Sequence, residues 1–149
     1  MLQAFEILAV VCAALFAGAA LYISLVEHPA RMGLETRIAA AQWAPSYKRA
    51  TWMQAPLAVL SFLAGGVVWL MGAGAGWLVG ALLIGAVVPF TLVVIMPTNH
   101  KLLGPGRDLG STETRALLES WGRLHAVRTA LSLAATMLFL WLLTVSTAF

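Results

Sequence analysis

The sequence predicts an all-α fold: an integral membrane four-helix bundle running up-down-up-down, with long charged loops 1-2 and 3-4 on one side. Three observations carry this. Hydrophobic residues make up 61% of the 149 residues and charged ones only 10%, against about 25% charged in an ordinary water-facing domain. Four apolar runs are each long enough to supply the roughly 20 helical residues that cross a hydrocarbon core. All 9 Lys and Arg residues lie in, or just beside, the two connectors flanking those runs. No linker, low-complexity tract or internal repeat interrupts the chain, so residues 1–149 are expected to form one domain.

The first span is expected at about residues 4–27, around an unbroken apolar run from 7 to 26. No Lys or Arg precedes that run, so it lacks the basic start of a cleavable signal and is expected to remain as a helix. Cys12, the single cysteine, lies inside it and behaves as a small hydrophobe. Glu27-His28-Pro29 follows. The residue before a proline avoids helical geometry, so the span is expected to stop there with His28 at a helix C-terminus.

Residues 34–43 are Ala-rich and suit a short helix along the interface, after which Pro45-Ser46 open the second span, about 50–71. Gly72-Ala73-Gly74-Ala75-Gly76 then forces a reversal into the third span, about 76–96. Within it Pro89 removes the hydrogen bond to the Gly85 carbonyl and should kink the helix. Pro97 is expected to end it, with Thr98 or Asn99 binding the freed backbone groups. Residues 108–111 lead into a helix that starts polar and enters the membrane near Trp121, giving the fourth span at about 121–146. Small residues four apart, Ala14 with Gly18 and Gly72 with Gly76 and Gly80, let helix backbones approach closely, either within the chain or in a homo-oligomer.

Arg31, Arg37, Lys48 and Arg49 lie between spans one and two; Lys101, Arg107, Arg115 and Arg123 lie between spans three and four, with Arg128 just beyond. The positive-inside rule places both connectors in the cytoplasm and both termini outside, in the setting of a bacterial inner membrane. The charge of +3 and pI near 9.6 are split between two loops beside apolar spans. That distribution suits anionic headgroups and not a nucleic-acid partner.

Ionisable groups are costly in lipid unless they face the bundle interior or reach the interface, so their positions carry the functional information. Glu27, at the expected helix end, needs an arginine (Arg31, Arg49 or Arg128) or a proton; the alternative is an interface anchor. On span four Trp121, His125, Arg128 and Ser132 recur every three or four residues and share a face. One stripe thus holds an aromatic, a base, a fixed cation and a hydroxyl, and the alternative is an interfacial belt with Arg128 snorkelling. Tyr47, Thr51 and Gln54 form a similar stripe on span two beside Arg49. Gln54 should point inward to satisfy its amide. No His-x-x-x-His or Glu-x-x-His pair marks a metal site, and no phosphate-binding, dinucleotide or Ser/His/Asp motif is present.

Glu27-His28-Pro29, Trp43-Ala44-Pro45-Ser46-Tyr47-Lys48-Arg49, Pro97-Thr98-Asn99 and Trp121-x-x-Leu124-His125-x-x-Arg128 resemble the DUF1772 or anthrone oxygenase-like family of small membrane proteins. The resemblance covers nearly the whole chain. It implies a four-helix membrane protein, and its named fungal members oxidise anthrones to anthraquinones with molecular oxygen. The residues carried over are Asn99, Trp121, His125 and Arg128. On that basis His125 is the candidate general base, Arg128 stabilises the developing anion and Asn99 hydrogen-bonds the phenolate or a peroxide. Trp121, His28, Glu27, Tyr47 and Gln54 are candidate substrate-binding residues. No cofactor or metal is expected for this chemistry, and the partners are the lipid bilayer and an apolar small molecule. The alternatives are a haem- or metal-binding redox protein using His28, His100 or His125, and a non-enzymatic carrier or membrane partner.

Overall fold

A computed structural model describes residues 1–146. It consists of four helices, each long and apolar enough to cross a membrane: α1 Leu2–Met32, α2 Thr36–Leu70, α3 Ala75–Leu102 and α4 Thr112–Ser146. The protein is an all-α integral membrane bundle. α1 and α3 each pack on both α2 and α4, so the helices follow one another around a square.

The helices are longer than the sequence pattern predicts. At about 1.5 Å per residue a 35-residue helix reaches about 52 Å, well beyond a hydrocarbon core of about 30 Å. The excess extends the charged end of the bundle. Pro29 does not end α1, because the preceding turn, Ile23–Glu27, closes across five residues, with the His28 N–H donating to the Ile23 carbonyl. This π-turn gives the pyrrolidine ring room, and His28 keeps helical angles (φ −68°, ψ −45°). The same device recurs in α3, where the turn Thr91–Ile95 precedes Met96-Pro97 and the Met96 N–H reaches the Thr91 carbonyl. Helix α3 therefore runs on to Leu102. Pro97 lies inside α3 and does not end it, so Thr98 and Asn99 are not at a helix terminus.

The expected interfacial helix at 34–43 and the start at Pro45-Ser46 are likewise replaced by one helix, α2, with Pro45 and Pro56 inside it. Loop 1-2 shrinks to a short turn. The interruption expected from Pro89 falls where the missing donor predicts: the α-helical ladder stops at Gly85 and resumes at Val87, with Ala86 (φ −61°, ψ −21°) between them. At the far end the reversal uses Gly72 (φ +88°) and Gly74 (φ +103°), angles that favour glycine. Helix α4 starts from Ser111, whose Oγ accepts the Thr114 N–H at 3.1 Å. Arg115 donates to the carbonyls of Leu34 (3.1 Å) and Met32, tying α4 to the end of α1.

Near the hairpin the core centres on Phe139, fully buried and stacked on Trp77 at 5.2 Å. Gly65 and Gly80 admit its ring, and Gly76 receives Leu142, so these glycines serve packing within the chain. A Cβ at Gly80 would stand 2.4 Å from the ring, whereas one at Gly18 would meet nothing within 4 Å. Gly80→Val is therefore expected to destabilise the bundle by about 1–3 kcal/mol and Gly18→Val to leave it unchanged. Thermal unfolding of both variants in detergent checks this; equal melting would remove the Phe139 contact as a determinant.

Candidate functional site

Because α1 continues through Pro29, Ser24, Glu27, His28 and Arg31 fall three or four residues apart along one helical face. Glu27 and Arg31 pair at 2.5 Å. The same Glu27 oxygen accepts from Ser46 Oγ at 2.5 Å and Gln42 Nε2 at 3.2 Å, while Arg31 Nε donates to Gln42 Oε1. Arg31 is only 3% exposed. A buried ion pair is tolerated when its remaining donors and acceptors are satisfied, and here α2 supplies the partners. Of the three arginines expected for Glu27, Arg31 is the one it meets.

Trp121 is the centre of the next layer. His125 stacks on it at 4.9 Å, His28 approaches at 5.3 Å, Trp43 meets it edge-on at 5.8 Å, and the Arg31 guanidinium lies 6.0 Å from its centroid. Trp43 in turn stacks on Tyr47 at 5.0 Å. Residue 122 is glycine where His28 comes close; a Cβ there would stand 2.4 Å from His28 Nε2. The layer closes the charged end of the bundle with rings.

Beneath it is a polar chamber of about 10 Å³, bordered by Arg31, Ser46, Tyr47, Thr51, Gln54, Trp121, His125 and Arg128. That is about the space one water needs. His125 Nδ1 lies 3.0 Å from Ser24 Oγ, which lies 2.8 Å from Thr129 Oγ1; Thr129 donates to the Ala20 carbonyl at 3.2 Å. Arg128 turns inward, donating to Gln54 Oε1 at 2.8 Å with its guanidinium 5.4 Å from the Phe16 ring. Gln54 Nε2 and Arg128 Nε are buried without a partner. Buried polar atoms are rarely left so, and these two flank the chamber.

The chamber adjoins a mainly apolar crevice of about 120 Å³ between α2 and α3, and Tyr47, Thr51 and Arg128 border both. Phe16, Ala58, Val87, Val88 and Met96 form most of its wall, with Thr91 and Leu92 from the π-turn of α3. The Tyr47 hydroxyl faces Met96 Sδ at 3.9 Å.

The structure thus gathers Trp121, His125, Arg128, Tyr47 and Gln54 around one chamber. Asn99 is not among the residues bordering chamber or crevice; it is fully buried, with neither amide atom partnered. His28 stands behind Trp121, and Glu27 lies across Ser46. Ser132 is buried but returns its proton to the Thr129 carbonyl at 3.0 Å. Of the three histidines, His125 is buried, His28 half-buried and His100 exposed. Sequence reasoning missed Ser24 and the bordering roles of Arg31 and Ser46. The signal was the helical spacing of Ser24, Glu27, His28 and Arg31, visible only if the helix is carried through Pro29.

A guanidinium, an imidazole and an amide thus stand beside an apolar crevice inside a bundle of four helices long and apolar enough to cross a membrane. More particularly, the chain belongs to the anthrone oxygenase family, which matches residues 43–138. The matched stretch contains Trp43, Tyr47, Gln54, Asn99, Trp121, His125 and Arg128 and begins after the polar stripe of α1. No curated protein and no solved structure matches the chain.

Proposed function

We propose that this protein oxidises a flat, apolar phenolic substrate of the anthrone type with molecular oxygen, using its own side chains to form and hold the substrate anion. The observation that carries this reading is Arg128, half-buried with its Nε shielded, whose guanidinium stands at the junction of the apolar crevice and the polar chamber. Aromatic rings fit the crevice wall, and an oxygen at their edge meets the guanidinium.

Loss of a proton from the anthrone methylene gives an electron-rich anion whose charge Arg128 stabilises, with Gln54 fixing the guanidinium. Dioxygen adds to the carbanion carbon to give a peroxide anion, the proton held by His125 returns to it, and the hydroperoxide so formed loses water to give the quinone, so one O2 yields one quinone and one water. His125 receives the first proton through the chamber. With Thr129 donating to the Ala20 carbonyl, its oxygen takes the Ser24 proton and Ser24 accepts from His125 Nδ1–H. That order leaves Nε2 as the basic nitrogen. The apolar crevice keeps water from the anion. Asn99 has no part in this path.

In vesicles, the protein should consume one O2 per anthraquinone formed from an anthrone, at a rate well above protein-free vesicles. Absence of any excess uptake overturns the reading; tight binding without uptake marks a carrier.

The orientation that fits the basic connectors puts the charged end in the cytoplasm of a bacterial cell and the Gly72–Gly74 turn outside. A reporter inserted at Gly74 is expected to read as external and one at Gly106 as cytoplasmic. The opposite pattern reverses the topology. The C-terminal position Phe149, expected outside, lies beyond the described residues.

A further inference from the structure

The aqueous face of the site is shut. Trp43, Trp121 and Arg31 are each no more than 5% exposed, and they cover the chamber with Trp43 edge-on to Trp121 and the Arg31 guanidinium 6.0 Å from its centroid. On one flank a recess of about 320 Å³ beside Glu27 and Arg49 touches the chamber at Ile23, Ser46 and Ala50. It adjoins only the chamber, which has room for about one water. A fused aromatic cannot pass that way.

Toward the hydrocarbon the crevice continues instead of closing. A groove of about 660 Å³ lies between α2 and α3, lined entirely by apolar residues, and Ala58 and Val88 are shared between groove and crevice. Its volume falls within the roughly 300–1,000 Å³ of small-molecule sites. The groove lies along the helix break at Ala86, with Pro89 beside it. Gly85 lets the Phe62 ring close against α3; a Cβ there would stand 2.7 Å from the ring. Groove, crevice and chamber therefore form a series that grows more polar inward and reaches Arg128.

We propose that this groove is the lateral portal through which an apolar aromatic substrate passes from the bilayer into the crevice. An acyl chain would fit the groove alone, but a route whose inner end is a guanidinium suits a molecule with apolar flanks and one oxygen. The identity of the passenger rests on the oxidation reading above. The route itself rests on the shared walls.

Two measurements on the protein in vesicles test it. Ala86 and Val59 border the groove but not the crevice and are exposed, so Ala86→Trp and Val59→Trp each fill the portal from an opposite wall. Both are expected to raise KM for anthrone at least tenfold with kcat within twofold, whereas Leu25→Trp, on the exposed part of α1, changes neither. Independently, anthraquinone is irradiated in the vesicles, where its excited carbonyl abstracts hydrogen from nearby C–H bonds and couples to them. Mass spectrometry should find label at Leu63 and Leu82 in the groove and at Met96 in the crevice, with the Met96 label lost in Ala86→Trp. Label spread evenly over the outer faces of all four helices, or Met96 labelling and KM indifferent to both tryptophans, overturns the portal. Wild-type protein that labels at groove and crevice but never consumes oxygen defeats the oxidation reading and leaves the portal standing.

Discussion

Replacing Arg128 by leucine is expected to lower kcat for anthrone oxidation by about 10² to 10³, the loss typical when one preorganised donor to a developing anion is removed. The guanidinium is held by Gln54 at 2.8 Å beneath the Phe16 ring and borders both chamber and crevice. Leucine fills similar volume but offers the anion nothing. Arg128→Lys keeps a charge yet loses the planar fork, so it should recover only part of the rate. Oxygen uptake and quinone absorbance measure the effect, and helical content with thermal unfolding controls for the fold. Activity within threefold of wild type in the leucine variant would remove Arg128 as the anion site.

The second large effect is expected at His125. His125→Ala should reduce turnover by about 10² to 10⁴, the usual contribution of a positioned general base. Proton transfer and oxygen addition can be told apart. With substrate deuterated at the reacting carbon, an isotope effect should rise in the variant, and added imidazole, small enough for the space left by the ring, should restore part of the rate. Ser24→Ala should give a smaller loss with the same sign, because it frees the Nδ1 side of the ring without removing the base. An alanine variant at position 125 that turns over normally, or one that imidazole never rescues while deuteration has no effect, would assign the proton to another group.

The four helices were legible because lipid imposes a length and a composition that few other contexts do, and the hairpin glycines and the Pro89 break followed from backbone chemistry. Trp121, His125 and Arg128 were legible from spacing on a single helix. The remainder was hidden by the rule that a residue before proline leaves the helix. Applied to His28 it cut α1 short and separated Ser24 from Arg31, and applied near Pro45 it parted Trp43 from Gln54. Neither π-turn has a composition that announces it. Asn99 was carried over as a hydrogen-bonding partner for the phenolate or a peroxide, with the capping of a helix end at Pro97 as the plainer reading; the helix runs on past it, and its full burial away from chamber and crevice could be learned only in three dimensions.

The two π-turns also bear on which changes in length the chain can survive. A turn closed across five residues holds one residue more than an α-helical turn, so deleting a single residue within Ile23–Glu27 or Thr91–Ile95 would leave the helix faces on either side in phase, at the cost of the room that turn gives the proline after it. The same deletion elsewhere in α1 would swing everything beyond it by about 100°, carrying Glu27 and Arg31 out toward lipid. Single-residue deletions scanned along α1 should thus be better accepted at Leu25 or Val26 than a turn or two earlier, which makes these two places the natural joints at which loss of one codon can occur without dismantling the site.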